Sequence, residues 1–184
     1  MTAVPRPALK QSPMPSSSSQ SLSPDIPQEH PVRLCPMTNA SEAPFDLNRF
    51  VSAQAKNYSY ALAELRSGQK QTHWIWYVLP QLRGLGSSSM ANFYGIGSVR
   101  EALAYLDHPI LGPRLRECVG AMNALDGLSA VQVLGPIDAA KFRSCLTLFH
   151  SVDPSDAVFS EALNKYFAGI PDERTVALLN LSAT

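Results

Sequence analysis

Every one of the fifteen aromatic residues in this 184-residue chain lies at or beyond Phe45. That break limits where a core can form, because rings carry a large share of the apolar area a small domain buries. Ahead of it, residues 1–44 hold nine of the fifteen prolines and the serine run from Ser16 to Ser19. With no ring to bury, this stretch has little to set against the entropy cost of ordering. Its repeated X-Pro steps also disfavour helix. Residues 1–44 are read as a disordered Pro/Ser-rich tail. The basic residues Arg6, Lys10 and Arg33 hint at a transit peptide, but the prolines break any amphipathic helix. Residues 45–180 are read as one domain, a size that suits a single core, and 181–184 as its C-terminal end.

Fifteen basic and fifteen acidic side chains cancel. Neutrality argues against a chain that holds nucleic acid or an anionic membrane by bulk charge. No apolar run reaches the ~18 residues of a membrane span. Cys35, Cys118 and Cys145 are too few and too scattered for a disulfide framework or a cysteine-rich zinc module. The expectation is a soluble, cytoplasmic protein with no membrane or nucleic-acid partner.

Within the domain, helical periodicity and capping signals recur and strand alternation is nearly absent. Asp46 is placed to cap a helix bearing Leu47, Phe50 and Val51, and a second runs from Tyr58 to Leu65, stopped by Gly68. Thr72 introduces a third, His73 to Leu79, ended by Pro80. Ser98 and Glu101 make a capping box. Pro109 or Pro113 opens a helix whose stripe is Leu115, Val119 and Met122. Ser129 starts a short helix closed by Gly135. Asp138 caps one with Phe142, Cys145, Leu146 and Phe149 on a face. Asp156 introduces the next, ended near Gly169, and Asp172 begins the last. The fold class is all-α, a compact array of about six main helices with a few short ones.

Three segments could carry chemistry. The first is the aromatic run His73-Trp74-Ile75-Trp76-Tyr77-Val78-Leu79-Pro80-Gln81. A helix apolar on every side belongs near the centre. His73 is either a core histidine bonded to a carbonyl or carboxylate, or the polar contact of a pocket whose indoles stack a planar ligand. No second His, Cys or acid stands at metal-ligand spacing beside it, so no metal is assigned. The second is Arg83-Gly84-Leu85-Gly86-Ser87-Ser88-Ser89. It is either a flexible turn or a loop aiming backbone N–H groups at an anion beside Arg83. It lacks the Gly-Lys-Ser/Thr of a P-loop and the third glycine of a dinucleotide fingerprint. The third is the polar row Lys141, Ser144 and Thr147, off the greasy face of the Asp138–Phe149 segment. It is either a solvated flank or the wall facing Arg83. Cys118 and Cys145 sit on apolar faces and are read as inert buried thiols.

These segments resemble the domain-of-unknown-function family eighteen-ten. The resemblance is carried by His73-Trp74-Ile75-Trp76-Tyr77-Val78-Leu79-Pro80-Gln81-Leu82-Arg83-Gly84-Leu85-Gly86. Met90-Ala91-x-x-Tyr94-Gly95-Ile96, His108-Pro109-x-Leu111-Gly112-x-Arg114-Leu115, Lys141-x-x-Ser144-x-Leu146-Thr147-Leu148-Phe149 and Lys165-Tyr166-Phe167-x-Gly169 add to it. It spans about Phe45 to Leu179. It implies an all-helical, crescent-like domain with no established activity. Ile75 stands where methionine is usual, and Ala55 where an acid is common, which argues against a ligand role at that position. The calpastatin label often given to this family is rejected: calpastatin inhibits through disordered repeated segments, whereas this domain is unrepeated and rich in rings.

Two functional readings follow. In one, the aromatic helix, the Arg83 loop and the Asp138 helix converge on a pocket for a small anionic, nucleotide-like ligand. His73 is then the candidate catalytic group. Trp74, Trp76, Gln81, Arg83, Gly84, Gly86, Lys141 and Ser144 are the candidate binding residues. The cofactor, if any, is unassigned. In the other, the domain is a non-catalytic protein–protein interaction module, its partner unassigned and the same residues serving as core and caps.

Overall fold

Capping and glycine punctuation divide the domain into short helical runs, and the computed structural model, which describes residues 45–181, follows that punctuation closely. The disordered-tail reading, Cys35 and the last three residues lie outside the described residues. Nine helices occur among those described: α1 (Asn48–Arg66), α2 (Ile75–Val78), α3 (Ser89–Tyr94), α4 (Val99–Asp107), α5 (Leu111–Asn123), α6 (Ala130–Leu134), α7 (Pro136–Val152), α8 (Ala157–Phe167) and α9 (Glu173–Leu181). The domain is all-α. The only extended pairing among the described residues is a parallel bridge between Leu82 and Ile96.

Local signals place several helix starts. Ser98 accepts the Glu101 N–H, and Glu101 reaches back to the Gly97 N–H at 2.7 Å, one residue earlier than a standard capping box. Ser129 and Gln132 form the full reciprocal box at α6. Asp156 accepts from Val158 N at α8. Gly135, at φ +79°, ends α6 and opens α7, with Pro136 at the first helical position. That left-handed conformation suits a glycine.

Three starts differ from the sequence reading. The two helices expected over 47–65 are one, because Ser52 to Asn57 contains neither Gly nor Pro to interrupt it. Asp46 does not cap it; its carbonyl accepts from the Arg49 guanidinium instead. Asp138 lies in the first turn of α7, since Gly135 and Pro136 start that helix earlier. The aromatic helix is a single turn, Ile75–Val78. Thr72 does not cap it: the helix begins after Trp74 with no side-chain cap, and the Thr72 N–H and hydroxyl donate to Glu64.

The core is strung along a row of rings. Phe50 of α1 meets Tyr105 of α4 edge-on at 5.0 Å, Tyr105 meets Phe149 of α7 at 5.5 Å, and Phe149 stacks on Phe159 of α8 at 5.8 Å. All four are fully buried, and each ring pair adds ~0.5–1.5 kcal/mol beyond area burial. Helix α5 packs on α1, α4 and α8, with Leu115, Cys118, Val119 and Met122 inward. Helix α7 packs on α4, α6, α8 and α9. Seated among four neighbours, α7 is buried on most sides, with only a flank left to carry polar groups.

Candidate functional site

That flank is where the polar row lies. Along α7, Ile137, Ala140, Lys141 and Ser144 fall at spacings of three and four and share one side of the helix. They form one wall of a cavity of about 230 Å³, completed by Gln81, Leu85 and Gly86 and by Asp172 and Arg174. Segments roughly sixty and thirty residues from the α7 wall in sequence therefore meet at it.

Each segment is held there by identifiable bonds. Gln81 follows Pro80, and its carbonyl accepts the Ile96 N–H at 3.0 Å, which fixes the start of the loop. A Cβ on Gly86 would stand 2.8 Å from Ala91 Cβ, so only glycine lets the loop close on α3. On the other side, Thr147 of α7 accepts the Asp172 N–H through its hydroxyl at 2.8 Å and donates to the Arg143 carbonyl. Thr147 thus ties the entry of α9 to α7. Asp172 Oδ2 takes both the N–H and the hydroxyl of Thr175, capping α9. Arg174 reaches the Leu85 carbonyl at 3.4 Å and bridges α9 to the glycine loop.

A second hollow, about 360 Å³, adjoins the first and shares Ile137 and Lys141 with it; His73, Trp76, Leu134, Gly135, Pro136 and Asp138 complete its lining. The Lys141 ammonium stands 4.6 Å from the centre of the Trp76 ring, a cation–π geometry. It also pairs with Asp138 at 2.8 Å, and Asp138 pairs with Lys70 at 2.8 Å. Burial pushes the Asp138 carboxyl up, but the hydrogen bonds and charges of Lys141 and Lys70 outweigh it and hold it below its ordinary value. Among the lining residues of the two hollows, Lys141 and Arg174 balance Asp138 and Asp172, and Lys70, outside both linings, adds a second cation to Asp138.

Of the residues singled out from the sequence, Gln81, Gly86, Lys141 and Ser144 line the first cavity, and His73, Trp76 and Lys141 the second. His73 is exposed, not a core histidine. Three others stand elsewhere. Trp74 is fully buried, its indole N–H donating to Glu64 at 2.8 Å, so neither ring face is open to a ligand. Arg83 turns toward the Gly95 carbonyl, at 3.2 Å, and lines a separate hollow with Asp46, Arg49, Asn92 and Phe93. The bridge to Ile96 aims it there. Gly84, at φ +95°, faces Leu178 of α9 and provides a turn. Asp172 and Arg174 escaped the sequence reading: Asp172 read only as a cap, and nothing local to Arg174 marks it as facing residues ninety positions earlier.

Cys118 and Cys145 are buried, and burial pushes the Cys118 thiol up to about 12 and Cys145 well above its ordinary value. Both are poor nucleophiles. Among the described residues no group of three His, Cys, Asp or Glu side chains could hold a metal, and no helix is long and apolar enough to cross a membrane.

Comparison with known proteins agrees with this architecture. No curated protein matches the chain significantly. The crystal structure of the conserved hypothetical protein Rv1873 from Mycobacterium tuberculosis is similar to it, with 52% sequence identity and a TM-score of 0.74. The match covers 74% of this chain and 98% of that one. A family described as "Protein of unknown function (DUF1810)" matches residues 44–179. That match takes in the helical domain carrying both hollows, and the chain belongs to the DUF1810 family.

Proposed function

We propose that the domain binds a small anionic ligand carrying a planar ring, nucleotide-like in character, in the paired hollows that meet at Lys141. The observation that carries this reading is the position of Lys141, whose ammonium lines both hollows while resting over the Trp76 ring. The first hollow alone is small for a ligand site, whereas the second, at about 360 Å³, and the two together fall within the ~300–1,000 Å³ typical of one. Trp76, half-buried, offers an aromatic surface for a ring. Lys141 and Arg174 supply the charge for an anion, and Gln81, Ser144 and the Gly86 backbone supply orienting polar groups. His73 stands at the mouth of the second hollow, where it is the group best placed to give or take a proton. Trp74, Arg83 and Gly84 take no part in the site so defined.

The test is thermal unfolding of the full chain with AMP, UMP and ADP, repeated on Lys141→Ala, Trp76→Leu and Arg83→Ala. A ligand at a hundred times its Kd stabilises by about 2.7 kcal/mol, a rise of several degrees in Tm for a domain of this size. The rise should disappear in Lys141→Ala, shrink in Trp76→Leu and persist in Arg83→Ala. A flat response to every nucleotide, or an undiminished one in Lys141→Ala, defeats the reading.

A further inference from the structure

The first cavity is not built for a bare anion. Beside Arg174 and Lys141 it holds the carboxylate of Asp172, which repels a simple phosphate or carboxylate at close range. Asp172 Oδ2 is committed to Thr175, at 2.9 Å from its N–H and 2.6 Å from its hydroxyl, while Oδ1 has no hydrogen-bond partner among the described residues. Gln81 as a whole residue is only 9% exposed and lines the same cavity, and among the described residues no group bonds its amide. Neither amide atom is among the buried side-chain atoms left without a partner, so the amide opens into the cavity, where water or a ligand group satisfies it. Both groups are held on fixed backbone, Gln81 by Pro80 and the bridge to Ile96, Asp172 by its N–H bond to Thr147. Their geometry therefore exists before a ligand arrives.

An unsatisfied carboxylate oxygen needs a donor, and a primary amide needs a donor and an acceptor. A hydroxyl is both. Two neighbouring hydroxyls satisfy Asp172 Oδ1 and the Gln81 amide together, leaving the two cations for a phosphate. Arg174 gives only one bond to the protein, at 3.4 Å to Leu85, and makes no ion pair among the described residues. Resting on the ligand reading above, we propose that this cavity takes the sugar phosphate of the ligand: a vicinal diol between Asp172 and Gln81, and the phosphate between Arg174 and Lys141. The ring then falls in the adjoining hollow, against Trp76. The cavity, about 230 Å³, equals the liquid volume of about eight waters, a scale that suits a pentose phosphate rather than a whole nucleotide.

The experiment is calorimetric titration of the full chain with ribose 5-phosphate, 2-deoxyribose 5-phosphate, inorganic phosphate and AMP. Ribose 5-phosphate should bind at least about tenfold tighter than its deoxy analogue or phosphate, because a site built to bond a hydroxyl rejects the analogue that lacks it. Asp172→Asn keeps the α9 cap, since asparagine caps as well as aspartate, and should bring the ratio close to one while phosphate binding survives or strengthens. Gln81→Leu, which leaves the cap untouched, should lower the ratio as well. Equal affinity for ribose and deoxyribose phosphates, or a ratio unmoved in both variants, overturns the diol assignment. If AMP binds and ribose 5-phosphate does not, this proposal falls and the reading of a planar anionic ligand stands. If none of the four binds, this proposal falls, and the ligand reading falls with it when UMP and ADP also leave the melting temperature unchanged.

Discussion

The indole N–H of Trp74 donates to Glu64 Oε2 at 2.8 Å, and that single carboxylate also takes the backbone N–H groups of Gln71 and Thr72 and the Thr72 hydroxyl. Glu64, on the last turns of α1, thereby fixes the loop that delivers the aromatic turn to the core. Burial pushes its carboxyl up, but the four donors outweigh that and hold it down at about 2, against an ordinary 4.5.

A group whose folded pKa is depressed adds stability above its unfolded pKa, and that stability is lost as the pH falls toward the folded value. The advantage of the native chain over Glu64→Gln should therefore be full at neutral pH and vanish between about pH 4.5 and pH 2. Glu64→Ala, which also leaves the buried Trp74 N–H unpaired, should cost ~1–3 kcal/mol. Urea unfolding at a series of pH values reads both effects.

Two glycines of α5 should respond oppositely to alanine. At Gly112 a Cβ would stand 2.0 Å from the Leu106 carbonyl oxygen, a backbone atom that cannot step aside. Gly112→Ala should cost several kcal/mol or prevent folding, at or beyond the ~1–3 kcal/mol of ordinary overpacking. At Gly120 nothing lies within 4 Å of the added atom, so Gly120→Ala should stabilise by ~0.4–1 kcal/mol through the unfolded chain. Thermal melts of the two variants decide the matter.

Arg49 and Glu101 form a buried ion pair at 2.5 Å, their side chains 8% and 6% exposed. Glu101 also holds the Gly97 N–H, and Arg49 lies over the Phe50 ring. Arg49→Ala strands a buried carboxylate and should destabilise by ~3–5 kcal/mol. The exposed pair Arg66–Glu117, at 62% and 46%, should change stability by less than ~1 kcal/mol when Arg66 becomes alanine. Equal losses at the two sites would contradict this ranking by burial.

Ala168 ends α8 at φ +54°, in the left-handed region, directly before Gly169 at +72°. An L-residue with a side chain is strained there by ~1–2 kcal/mol. Ala168→Gly should raise stability by part of that amount, offset by the greater entropy of glycine in the unfolded chain. A drop in Tm would show that Ala168 contributes packing that outweighs the backbone strain.

The helices whose starts were legible are those whose signals are local. Ser98, Ser129 and Asp156 bond N–H groups two or three residues away, so spacing alone reveals them. The aromatic run read as a helix because its side chains are apolar on every side, yet only one turn forms. Glu64, eight residues upstream of Thr72, binds the Thr72 N–H and hydroxyl and holds that segment as a loop, and a contact of that range leaves no mark in a local pattern.

The sequence by itself determined the all-α class, the position of the core and the polar flank of α7, because periodicity and capping are written in neighbouring residues. It also brought forward Gln81, Gly86, Lys141 and Ser144, which do meet. Only the tertiary structure decided that Arg83 faces Gly95 while Arg174 stands at the cavity in its place. The direction of an arginine depends on what holds the backbone beneath it, here the bridge of Leu82 with Ile96 and the Asp172 N–H on the Thr147 hydroxyl. Those pairings join residues fourteen and twenty-five positions apart, a separation at which the packed chain, and not the local residue pattern, sets what lies beside what.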